Sequence, residues 1–192
     1  LIKKDKGSVL RVVGTDGHRL AIAETRLESS VETEGSAVVP KKAIAEVRRI
    51  MDDGGEPTSI GIGKTQVVFQ NGACSLTSRV MEGTYPNYQQ VIPKDTDKKV
   101  IVLKKDVEGA LKRASILAGE KTKLVRLSIE EGKIEFASSS PEVGEAQDTI
   151  PAKYKGGAIA VGFNARYLLD AISVVEGDEV LFEFKDQASP CL

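Results

Sequence analysis

One histidine, two cysteines, no tryptophan and a 5% aromatic fraction in 192 residues leave little raw material for several kinds of chemistry. Cys74 and Cys191 are far apart and His18 stands alone, so the spacing of a typical N/S metal site is missing and no cofactor is expected. No stretch reads as a signal peptide, and no apolar run is long enough to cross a bilayer. A reducing cytoplasm is therefore the expected compartment, with no membrane partner. No G-x-S-x-G motif offers a nucleophile. The glycines of GIGK (61–64) sit in a hairpin between short strands, where no helix N-terminus follows to hold a phosphate. A charge of one sign is lacking too: 27 basic and 28 acidic residues nearly cancel, although a neutral total can hide a basic face.

What is present is the composition of a globular protein, 41% apolar and 29% charged, on a chain long enough to bury one or two cores. VLRVVGT (9–15) and RLAIAET (19–25) read as strands joined at Asp16-Gly17, residues suited to the positive φ angles of a tight hairpin. SAVVP leads into the helix KKAIAEVRRIMDD, which starts at Pro40 and stops at Gly54-Gly55. TSIGIG, QVVFQN and ACSLTSRV then read as three strands. The order returns as KVIVL, the helix KKDVEGALKRASILA, and the strands LVRLSIE, KIEFASS and VGEAQDTI, with EEGK (130–133) as a hairpin turn. It starts again with AIAVGF, the helix NARYLLDAISVV and the strand EVLFEFK, and the closing SPCL is expected to continue as strand. Helix starts near Lys41, Lys104 and Asn164 give a repeat of ~60 residues, the mark of an array built from one supersecondary unit. Pro86, Pro93 and a charged tail break the pattern over residues 82–99, which predicts a linker between a domain at 1–94 and another at 95–192. The hairpin that precedes the first complete unit implies that the chain is cut from something longer.

Two features compete for function. Asp16, His18 and Arg19 could be read as the acid, base and electrophile of a small hydrolase, but residues beside a hairpin turn splay apart and no nucleophile accompanies them. On the helices, a spacing of 100° per residue gathers Ile44, Val47, Ile50 and Met51 on one side of the first and Lys41, Lys42, Arg48 and Arg49 on the other. The second helix buries Val107, Ala110, Leu111, Ala114 and Leu117 and turns Lys105, Lys112 and Arg113 outward, with Glu108 among them. The third buries Leu168, Ala171, Ile172 and Val175 and shows only Arg166, beside Asp170. Basic residues often do no more than solvate an exposed face. Two equivalent helices with the same sign, in a chain whose charges balance, point instead to phosphate contacts without sequence selectivity. No aromatic residues interleave with them, which disfavours stacking on single strands. A repeat-built interaction domain that never meets DNA is the remaining reading.

Long motifs then narrow the choice. TDGHRLA (15–21), EGTYPNYQQVIP (82–93), similar to D-G-R-F-P-D-Y-R-R-V-x-P, and GFNARYLLDAI (162–172), similar to G-F-N-x-x-Y-L-x-D-x-[IL], resemble the bacterial sliding clamp family, the β subunits of DNA polymerase III. VRLSIEEGKIEFASSSPEVGEA (125–146) follows the same family in order and length, so the resemblance covers essentially the whole chain. It implies an α+β DNA-clamp fold of strand-helix-three-strand units, with helices on one face of antiparallel sheets. It further implies a non-catalytic processivity factor: a homodimeric ring of three-domain subunits around duplex DNA, tethering the polymerase. Lys41, Lys42, Arg49, Lys112 and Arg113 are the residues expected to face DNA. The family's partner site is a hydrophobic cleft between its second and third domains, which takes short linear motifs from the polymerase α subunit and the clamp loader. Matched position by position, its wall would include Thr15, Gly17, His18, Arg19, Leu20, Pro86, Gln90, Val91 and Pro190, with Gln90 standing where the motif commonly has Arg. By this resemblance residues 1–94 are the C-terminal portion of the second domain, and 95–192 are the third without its C-terminal tail. The piece alone is then expected to be monomeric.

Overall fold

A computed structural model describes all residues except 6–7, 28–33, 52–56, 120–121 and 143, so the expected helix stop at Gly54-Gly55 lies outside the described residues. The chain forms two compact units, Leu1–Pro86 and Asn87–Leu192. In the first, β1 (Ile2–Asp5), β2 (Val9–Thr15), β3 (Leu20–Arg26) and β4 (Gly35–Ala37) make an antiparallel sheet in the order β3-β2-β1-β4. Helix α1 (Lys41–Met51) follows, and then β5 (Ser59–Ile62), β6 (Gln66–Asn71) and β7 (Cys74–Arg79) form a second sheet. Strand β1 was not expected. Its sequence, IKKD, has a single apolar residue, yet pairing of Ile2 with Val12 on one side and Ala37 on the other puts it in the sheet interior. The core joins Ile2, Val47, Val67 and Phe69. Val47 is the buried residue of α1, whereas Ile44 and Met51, expected inside, are 37% and 49% exposed. They sit on the flank of a narrow buried strip centred on Val47.

The second unit contains a 3-10 turn (Tyr88–Gln90), β8 (Lys98–Leu103), α2 (Lys104–Leu117), β9 (Leu124–Glu130), β10 (Lys133–Ser140), β11 (Gly144–Pro151), β12 (Ile159–Asn164), α3 (Ala165–Ser173) and β13 (Glu179–Phe184). Its sheets run β11-β10-β9-β12 and β13-β8. Alternation along β9 and β10 sends Val125, Leu127, Ile129, Ile134 and Phe136 into one core with Val107, Ala110, Leu111 and Ala114 of α2. Asn164 caps α3 rather than starting it: its Oδ1 accepts hydrogen bonds from the backbone N–H of Arg166 and Tyr167. Ala171, expected to be buried, is exposed. The closing SPCL is not a strand, but Leu192 and Glu183 exchange both backbone hydrogen bonds, at 2.8 and 3.0 Å.

The two four-stranded sheets share one wiring. Each is a three-strand meander whose first strand also pairs with a fourth strand, and that fourth strand leads into a helix, α1 or α3. With α2 between β8 and β9, the helices recur every ~60 residues, as a repeated supersecondary unit requires. The class is α+β, helices against antiparallel sheets.

Candidate partner-peptide and nucleic-acid interfaces

The β2–β3 loop is built by its own side chains. Thr15 pairs with Leu20, which leaves four loop residues, and only Gly17 has a positive φ, at 85°. The tight hairpin turn expected at Asp16-Gly17 is thus a four-residue loop, closed by side-chain acceptors and by the Asp16 N–H, which donates to the Arg19 carbonyl at 3.4 Å. Asp16 Oδ1 accepts from the backbone N–H of His18 (3.1 Å) and Arg19 (3.0 Å), and its Oδ2 accepts from Arg19 Nε (3.1 Å). Thr15 Oγ1 donates to the Arg19 carbonyl at 2.8 Å and accepts from Gly17 N–H. These bonds, that from the His18 N–H foremost, hold the Asp16 carboxyl below its ordinary range. Both Asp16 oxygens are thereby committed to the loop, which gives no support to a hydrolase built on Asp16 and His18. The result is a hairpin tip on which Thr15, Gly17, His18 and Arg19 are exposed and Leu20 is half-buried.

The remaining expected peptide contacts fall in three places. Pro86, exposed, closes the first unit directly after Tyr85, whose hydroxyl donates to the Val13 carbonyl of β2. In the second unit, Gln90 and Val91 are exposed at the end of the 3-10 turn, where Tyr88 is buried and Val91 is 57% exposed. Pro190, also exposed, follows a loop closed by Asp186, which accepts from the N–H of Ala188 (2.9 Å) and Ser189 (2.7 Å) and from Ser189 Oγ (2.8 Å). Sequence reasoning missed both Tyr85 and Asp186. The run Asp186-x-x-Ser189 carried the turn signal that could have found the second.

On the helices, Lys41, Lys42 and Arg49 are exposed on α1, and Lys112 and Arg113 on α2. Arg49 pairs with Glu46, Lys112 with Glu108, and Arg113 with Asp148 of β11. Among the described residues, neither Lys41 nor Lys42 has an acidic partner. Also among them, no group of three or more His, Cys, Asp or Glu side chains is placed to hold a metal, and no helix is long and apolar enough to cross a membrane.

Repeated meanders, each continued by a fourth strand and a helix, define an α+β protein built on a repeated unit. Residues 1–87 match the central domain of the DNA polymerase III beta subunit, and residues 89–192 match its C-terminal domain. The chain belongs to the DNA polymerase III beta subunit family. The beta sliding clamp of Caulobacter vibrioides is 39% identical over 184 residues, 95% of this chain and 49% of the relative. That of Salmonella typhimurium is 33% identical over 189 residues, 98% and 51%. A crystal structure of the sliding clamp from Pseudomonas aeruginosa bound to griselimycin superposes with a TM-score of 0.94 at 30% identity, covering 99% of this chain and 52% of the other. The chain spans about half the length of the curated relatives it matches.

Proposed function

We propose that this chain is part of a DNA sliding clamp, a non-catalytic cytoplasmic protein that encircles duplex DNA and tethers a replicative polymerase. The first unit serves as part of a second clamp domain and the second unit as most of a third. The observation that carries the reading is the hairpin tip Thr15–Leu20: an ordered loop whose carboxylate is spent on its own backbone and on Arg19 Nε, with His18 and Arg19 exposed on its surface. With Pro86, Gln90, Val91 and Pro190, the tip residues Thr15, Gly17, His18, Arg19 and Leu20 contact short linear motifs of the polymerase α subunit and the clamp loader. Exposed apolar and polar positions of this kind suit capture of an extended peptide.

Lys41, Lys42, Arg49, Lys112 and Arg113 face DNA in this reading. Contacts with phosphate alone carry no sequence information, which is what a ring that must slide requires. The full-length protein is a homodimeric ring, and the 192-residue chain alone is a monomer; a stable dimer in analytical ultracentrifugation would overturn the latter point.

The test is titration of a clamp-binding peptide, followed by fluorescence anisotropy, against the full-length clamp that contains this segment. His18→Ala is expected to weaken binding by about tenfold, as truncation of a central contact does. Unchanged affinity would remove the hairpin tip from the site. Reversal of Lys41, Lys42 and Arg49 to Glu should abolish retention on DNA while leaving peptide affinity intact, whereas an interaction domain that never meets DNA would show no change in retention.

A further inference from the structure

Three of the five cations assigned to DNA are compensated within the chain. Arg49 Nη1 lies 3.1 Å from Glu46 Oε2, and Lys112 Nζ lies 3.5 Å from Glu108 Oε2. Arg113 sets Nε at 2.7 Å and Nη2 at 2.6 Å from one oxygen of Asp148, joining α2 to β11. In every pair the base is the outer member. The Arg49, Lys112 and Arg113 side chains are 77%, 66% and 62% exposed, against 42%, 26% and 27% for Glu46, Glu108 and Asp148. A phosphate arriving from solvent therefore meets a cation that already has a carboxylate behind it. The Arg113 guanidinium lies against α2 beside Gly109, where a Cβ would stand 3.1 Å from Nη1.

We propose that Glu46, Glu108 and Asp148 are built-in counterions that weaken the hold of α1 and α2 on duplex DNA and keep each phosphate contact quickly exchangeable. The inference rests on the reading of these helices as a DNA face. Affinity for duplex DNA comes largely from counterions released when cations neutralise phosphates. A cation already paired with a carboxylate gains less from that exchange, because full engagement of a phosphate costs it the internal partner. Exposed ion pairs are individually weak, so the carboxylates lower the grip without locking the cations away. Lys41 and Lys42, which have no acidic partner among the described residues, keep α1 attractive to DNA.

The experiment is an NMR titration of the labelled 192-residue chain with a short DNA duplex, with Kd read from amide shifts at several salt concentrations. Glu46→Gln with Glu108→Gln, and the triple variant adding Asp148→Asn, remove charge while keeping shape. Each freed cation should tighten binding by roughly fivefold at about 0.15 M salt and steepen the log Kd against log salt slope by ~0.9. Lys41→Glu with Lys42→Glu tests the underlying reading and should weaken binding. If the lysine reversal weakens binding while the amide variants change neither Kd nor slope, the counterion proposal is overturned and the DNA face stands. If the parent shows no salt-dependent binding, or the lysine reversal has no effect, the DNA face falls and the proposal with it. The double variant leaves the Arg113–Asp148 link intact, so it decides the matter even where Asp148→Asn perturbs folding.

Discussion

The Tyr85 hydroxyl donates a hydrogen bond to the backbone carbonyl of Val13 at 3.2 Å, across 72 residues of sequence. Val13 is 2% exposed and lies two residues before Thr15, so this bond fixes the segment leading to Pro86 against the strand that carries the hairpin tip. Tyr85→Phe removes the hydroxyl and keeps the ring. The Val13 oxygen also accepts from the Leu1 nitrogen at 2.8 Å and so stays satisfied, which keeps the expected loss near the low end for a hydrogen bond, about 0.5–1 kcal/mol. Urea denaturation should show that small loss, and under the proposed peptide-binding reading affinity should fall a few-fold because Pro86 is less firmly held. A loss above about 3 kcal/mol would mean that the hydroxyl does more than donate this one hydrogen bond.

The Asp16 loop predicts acid sensitivity of a defined sign. Its carboxyl is held below the ordinary value of 3.8 by the N–H of His18 and then by Arg19, so the folded loop favours the ionised form. The contribution to loop order is full above that ordinary value and is lost as pH falls through the lowered folded pKa. Amide shifts of His18 and Arg19, followed by NMR from pH 6 downward, should move together in a titration with its midpoint below 3.8. Asp16→Asn should abolish that titration while keeping an acceptor for the two N–H groups.

The two thiols should differ in reactivity. Burial pushes the Cys191 thiol up to about 12, whereas Cys74 is exposed. Since the thiolate is the nucleophile, a disulfide reagent at pH 8 should consume the exposed thiol rapidly and the half-buried one more slowly. Cys74→Ser should remove the fast phase, and fast reaction of both thiols in the native protein would contradict the burial of Cys191.

Ser138, 6% exposed, donates its hydroxyl to the Ala114 carbonyl at 2.7 Å and so links β10 to α2. Ser138→Ala should cost about 1 kcal/mol. Two residues earlier on the same face, Phe136 is fully buried, and Phe136→Ala should cost about 3–5 kcal/mol through the cavity it leaves. Equal losses for the two variants would mean that the ring contributes no more to this part of the core than the hydroxyl does.

Much of the fold was legible because local signals and the final structure agree. β2, β6 and β9 have the bounds read from alternation and turn residues, and α2 buries Val107, Ala110, Leu111 and Ala114 of the stripe read from its helical spacing, with Leu117 half-buried. β1 was not legible. Four residues with one apolar side chain carry no period, and their place in the sheet comes from partners at Val12 and Ala37. The exposure of Ile44 and Met51 was hidden for a related reason: a helical wheel shows which residues share a side but not how wide a strip the neighbouring sheet covers.

The candidate sites divide in the same way. Sequence alone determined that Thr15, His18 and Arg19 share one turn, that Lys41, Lys42 and Arg49 share one helix side, and that the chain repeats every ~60 residues, because each of these follows from spacing along a chain of fixed local geometry. Only the tertiary structure decided that Asp16 spends both oxygens on its own loop, that Tyr85 reaches Val13, and that Arg113 leans on Asp148 of a neighbouring strand. Those contacts depend on rotamers and on elements brought together by burial of the core, and neither quantity is written in residue spacing.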